Sequence, residues 1–112
     1  MPRNMSFAVT TEQFKNKTKT VTRRVGWHFL KSGDTVYGVE KCMGLKKGEK
    51  IKKLGLIRIL STRSEPLNEI TQDDCKREGF PEMTPAQFVT MLCDKYKYSP
   101  SDVVNRIEFE YI

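Results

Sequence analysis

Five cations and three threonines stand within ten residues, Lys15-Asn-Lys-Thr-Lys-Thr-Val-Thr-Arg-Arg24, and no acid stands among them. An ordinary surface helix intersperses both signs. A run of one sign is either a solvated loop or a site that holds something anionic. Here the cations come with hydroxyls and one β-branched apolar residue, Val21. Lys19-Thr-Val-Thr-Arg23 can run as a short strand with Thr20 and Thr22 on one face. Such a face is equipped to grip a polar ligand and to cleave one. Lys17, Thr20, Arg23 and Arg24 are the candidates for gripping it. Lys46, Lys47 and Lys50, from a second basic run, join them.

One acid stands in an unusual place. Glu78 closes a helix just before Gly79, where the helix dipole opposes a negative charge by about 0.3–1 kcal/mol. Other chemistries lack their parts. The single histidine, His28, sits between Trp27 and Phe29 in a turn, with no sequence context for catalysis. No CxxC and no Cys/His cluster occurs, so neither a metal nor a cofactor is expected. Gly44-Leu-Lys-Lys-Gly-Glu-Lys50 fails the spacing of a phosphate-cradling loop. Cys42 beside Lys41 is a weak candidate for an activated thiol.

The elements that must position these residues belong to one domain, 1–112, on length alone. Residues 1–64 hold 15 Lys and Arg against 4 Asp and Glu, a net of +11. Residues 65–112 hold 5 against 10, a net of −5. The basic half suits nucleic acid, nucleotides or other phosphates. No apolar run approaches a membrane span, no secretory leader is visible, and three scattered cysteines fit a reducing cytoplasm.

Met5–Val9 predicts a first strand. Thr10 with Gln13 predicts a capping box on a short helix over 11–17. Strands are expected over 35–42, over 54–63 and at the C-terminus from Val103. Thr71 with Asp74, and Thr84-Pro85 with Gln87, predict two helix starts. Phe88, Met91, Leu92 and Tyr96 form one apolar face of the second helix, expected to be core. The sum is an α+β domain of about five to six mostly antiparallel strands, a sheet or small barrel, with two to three helices.

Lys19-Thr-Val-Thr-Arg-Arg24, Gly33-Asp34 opening a strand, Asp74-Cys-Lys-Arg-Glu78-Gly-Phe-Pro and Phe88 together resemble the ASCH family of PUA-like folds, over about Met5 to Ile112. The resemblance implies a small PUA-like β-barrel flanked by helices, with a cleft for RNA or nucleosides. Some small bacterial members are amidohydrolases that remove the acetyl group of N4-acetylcytidine. By their motif, Thr22 is the nucleophile, Lys19 the base that activates it, and Glu78 the acid that protonates the leaving amine. Arg23 and Arg24 would then lower the lysine's pKa. The basic loop Met43–Lys53 and Gly79-Phe80-Pro81 look closer to uncharacterised bacterial and phage branches. Other members are thought to bind or cut RNA. The alternatives are therefore an enzyme on a modified nucleoside and a binding module (or ribonuclease) for RNA. A monomer is assumed. If the three residues line an open cleft, substitutions there should leave folding within about ±0.5 kcal/mol.

Overall fold

The computed structural model describes residues 3–40, 48 and 50–112. It is α+β. Strands β1 (Arg3–Ser6), β2 (Val21–Arg24), β3 (Thr35–Val39), β4 (Lys53–Pro66) and β5 (Val103–Tyr111) form one sheet in the order β1-β3-β4-β5-β2. Only β1 with β3 is parallel; the other three pairings are antiparallel. The sheet curls into a half-barrel rather than a closed barrel, so β1 and β2 remain as edges. Helices α1 (Thr11–Lys15), α2 (Gln72–Arg77) and α3 (Pro85–Tyr96) accompany it, with a short 3-10 turn at Leu67–Glu69. Among the described residues, no helix is long and apolar enough to cross a membrane.

Helix starts follow the expected chemistry in two of three cases. Thr84 accepts from Gln87 N, and the Gln87 side chain returns to Thr84 N, completing the capping box. Thr71 accepts from Asp74 N. The box expected at Thr10 does not form. The Thr11 hydroxyl instead donates to the Phe7 carbonyl at 2.8 Å, tying the helix entry to the strand before it. Helix α1 also stops at Lys15, and Lys17 lies in the left-handed region. The first strand is set back from its expected place, pairing at Arg3–Ser6 because that stretch lies against Val36–Val39. The strand expected to reach Cys42 is described only to Val39.

Strand β5 lies inside the sheet, between β4 and β2, with buried residues on both faces, and its alternation divides the interior in two. Ile107 and Phe109 enter a core with Met5, Phe7, Phe14, Ile57 and Ile59. Val104, on the other face, packs with Leu67, Cys75, Phe88 and Leu92. Arg106 shares the Val104 face, so a guanidinium is carried beneath α2.

Gly38 shows how tightly the first core is closed. A Cβ there would lie 2.3 Å from the Phe14 ring. That ring is itself wedged between Phe7 and Tyr111, at centroid distances of 4.6 and 5.1 Å. Gly38→Ala should therefore destabilise the fold by about 1–3 kcal/mol through overpacking. A melting temperature equal to wild type would show that Phe14 has room to move.

Candidate functional site

Strand β2 is short and, among the described strands, pairs with β5 alone, in a register that opposes Thr22 to Ile107 and Arg23 to Arg106. Thr22 and Arg24 lie on one face of β2, Val21 and Arg23 on the other. Just before the strand, Thr20 N donates to Arg77 O at 2.7 Å, and Thr20 O accepts from Phe109 N at 3.0 Å. Tyr111 OH donates to Lys19 O, and burial pushes the Tyr111 pKa up to about 12, so it remains a donor. The Lys19–Thr20 backbone is thus clamped between the end of α2 and the last strand.

The half-barrel's gap between edge strands is bridged by Arg24. Its Nη2 donates to the Ser6 carbonyl, and its guanidinium carbon lies 4.7 Å from the centre of the Phe7 ring. Beside this bridge is a cavity of about 180 Å³. Lys19, Thr22, Arg24 and Glu78 form much of its polar wall, with Ser6, Thr10 and Arg23; Trp27, Phe80, Met91, Leu92, Tyr96 and Tyr98 form much of its apolar wall. The volume is small beside the roughly 300–1,000 Å³ of drug-sized ligand pockets and suits a single heterocycle. Tyr96, 45 % exposed, stands at the cavity, as does Met91. The face of α3 expected to be wholly core is thus partly cavity wall.

Lys19 and Glu78 meet inside the cavity wall, 3 % and 2 % exposed. Lys19 Nζ donates to Glu78 Oε1 and, at 3.2 Å, to the Glu78 carbonyl. Glu78 is the C-cap of α2, followed by Gly79 at φ +98°, so the helix ends with its last carboxylate turned inward. Burial lowers the Lys19 pKa, and Glu78 works against the shift. Arg24 and Arg23 lower it further but less, so burial outranks the neighbouring cations that the sequence suggested. Thr22 Oγ1 accepts from Arg24 Nε at 3.2 Å, which leaves the hydroxyl proton available to a base. These three positions are buried, which corrects the expectation of an open cleft.

The other expected ligand residues separate. Arg24 faces the cavity. Arg23 borders it, but its guanidinium is 0 % exposed and bound to Glu65, Asp74 and Glu78, so it supports the wall rather than gripping a ligand. Thr20 is committed to the clamp and is not part of the wall. Lys17 and Lys50 are exposed and away from the cavity. Lys46 and Lys47, with most of the 43–53 loop, lie outside the described residues. Asp74 and Arg106 are buried here and were missed. Asp74 lies four residues before Glu78, a spacing that puts both carboxylates on one helical face. Among the described residues, no group of His, Cys, Asp and Glu could hold a metal ion, and Cys75 and Cys93 are free.

No family sequence model matches this chain, and no curated protein matches it in sequence. Solved structures do resemble it. A protein of the DUF984 family from Enterococcus faecalis superposes with a TM-score of 0.67 at 17 % identity, covering 100 % of this chain and 77 % of its own. An ASCH domain from Lactobacillus crispatus superposes with a TM-score of 0.64 at 14 % identity, covering 97 % and 78 %. A curled sheet of five strands, three helices and these two superpositions together give this chain an ASCH-like fold.

Proposed function

We propose that this chain is a metal-independent amidohydrolase that removes the acyl group from an N4-acylated cytidine or a closely related nucleoside. The observation that carries this reading is the convergence of Lys19, Thr22 and Glu78 on one small cavity, with Lys19 Nζ hydrogen-bonded to Glu78. The apolar wall of Trp27, Tyr96 and Tyr98 suits the faces of a planar base.

Burial lowers the Lys19 pKa, which brings its free-amine form within reach. The reaction starts from that form, with a proton on Glu78. Lys19 takes the Thr22 proton as Thr22 Oγ1 attacks the acyl carbon. The C–N bond breaks, and Glu78 gives its proton to the leaving exocyclic amine. The acyl group is now an ester on Thr22. Water then attacks the ester and gives one proton to Glu78. Thr22 Oγ1 leaves with the proton held by Lys19. The products are cytidine and the carboxylic acid, and the pair returns to its starting state.

The single tryptophan reports on binding, because Trp27 borders the cavity. N4-acetylcytidine should change its emission in a saturable way. A second reading, RNA binding without chemistry, draws support from the exposed Lys50 and Lys52. It expects no response to the nucleoside. It expects instead RNA affinity that falls steeply with salt and weakens when Lys46, Lys47 and Lys50 are neutralised together.

A further inference from the structure

We propose that Asp74 is a positioning residue of this site. It acts through a buried chain of alternating charge, Arg106–Asp74–Arg23–Glu78–Lys19, that sets the pH at which Lys19 gives up its proton. The consequence for catalysis rests on the amidohydrolase reading; the chain itself rests on geometry.

The register of β2 on β5 places Arg23 directly opposite Arg106. Like charges in that relation destabilise a sheet. Asp74 resolves the conflict from α2. Its Oδ2 accepts from Arg106 Nε at 2.7 Å and also from Arg23 Nη2, and its Oδ1 accepts from Arg106 Nη2 at 3.1 Å. Arg23 passes the constraint on, donating from Nη1 to Glu78 Oε2 at 3.2 Å. Glu78 uses its other oxygen for Lys19. Among the described residues, Arg23 Nε is buried without a hydrogen-bond partner, and carboxylates hold the guanidinium at its terminal nitrogens. Glu65 Oε2, at 3.0 Å from Nη2, is the third of them.

The charges balance. Lys19, Arg23 and Arg106 are matched by Glu65, Asp74 and Glu78. Other groups face the pair from the elements around it. Arg24 comes from β2 and Cys75 from α2. Tyr96 comes from α3. Glu108 of β5 lies 3.6 Å from Arg106 Nη1 and also takes Arg77. Asp74 carries its charge throughout the working range, because the Arg106 hydrogen bond, then Arg23, hold it well below the usual carboxylate range. Removing that charge leaves one excess positive charge beside the pair. The protonated form of Lys19 then becomes less favourable, so its midpoint moves to lower pH. Removing Arg106 leaves one excess negative charge and moves the Lys19 midpoint to higher pH.

Side-chain lysine NMR tests this on the intact chain, with Lys19 assigned by its loss in Lys19→Met. The Lys19 midpoint should fall by roughly one pH unit in Asp74→Asn and rise by roughly as much in Arg106→Gln. The double variant, neutral again, should return close to wild type. If a single variant fails to fold, Glu65→Gln removes a negative charge from the same guanidinium and must lower the midpoint. Where wild type hydrolyses N4-acetylcytidine, its pH optimum should follow the same directions. A wild type without turnover ends the amidohydrolase reading, and the Lys19 midpoints still decide the chain of charge. Midpoints that stay fixed, or that move in one direction in Asp74→Asn and Arg106→Gln alike, overturn it.

Discussion

Thr22→Ala should abolish turnover of N4-acetylcytidine while leaving the fold in place. The substitution removes the nucleophile and one acceptor of Arg24 Nε at 3.2 Å, a loss of about 0.5–1.5 kcal/mol in stability. Lys19→Ala should be equally inactive and Glu78→Gln nearly so, because nucleophile, base and acid work as a unit and their losses do not add. Stability separates the three. Lys19 and Glu78 are 3 % and 2 % exposed and paired with each other. Removing one member of such a pair strands the other and costs about 3–5 kcal/mol. For a chain of this size that lowers the melting temperature by well over ten degrees. Turnover and thermal melts of the same preparations check both halves. Residual turnover in folded Thr22→Ala would remove Thr22 as nucleophile.

The second large effect concerns stability and pH. Asp74→Asn should destabilise the protein by about 3–5 kcal/mol at neutral pH, because it leaves two buried, directly opposed arginines without their shared carboxylate. The folded-state pKa of Asp74 lies below its unfolded value. Its contribution is therefore fully present above the unfolded pKa of about 3.9 and is lost as pH falls toward the folded value. The gap between wild type and Asp74→Asn should stay constant from neutral pH to about pH 5, then narrow below it. Denaturant melts across that range measure it. A gap that persists unchanged into strong acid would mean that packing, not charge, accounts for the loss.

Local signals carried the helices and the last strand. Thr84, Pro85 and Gln87 specify their helix start within four residues, and both arms of the box form. Thr71 and Gly79 bound α2 in the same way. Thr10 misled because its backbone, at φ −122° and ψ 31°, is not in the extended conformation in which a capping hydroxyl reaches the helix N–H groups, which no local pattern announces. The motif grouped Lys19, Thr22 and Glu78, which line one cavity, but it did not announce their burial. It follows from Thr20 docking on the end of α2, across more than fifty residues of sequence. Arg23 looked like a ligand grip because a sequence displays a charge without its partners. Its three carboxylates come from β4 and α2. Two signals pointed to them in retrospect. Asp74 and Glu78 stand four apart on one helix, and Arg106 interrupts a buried strand face next to Val104.

The most direct test of the account is to mix wild-type protein with N4-acetylcytidine and follow the loss of acylated-base absorbance, with mass spectrometry of the products. Cytidine and acetate should form in equal amounts with wild type and not with Thr22→Ala. Unaltered N4-acetylcytidine in the presence of folded wild type, with Trp27 emission responding to RNA instead, would contradict it.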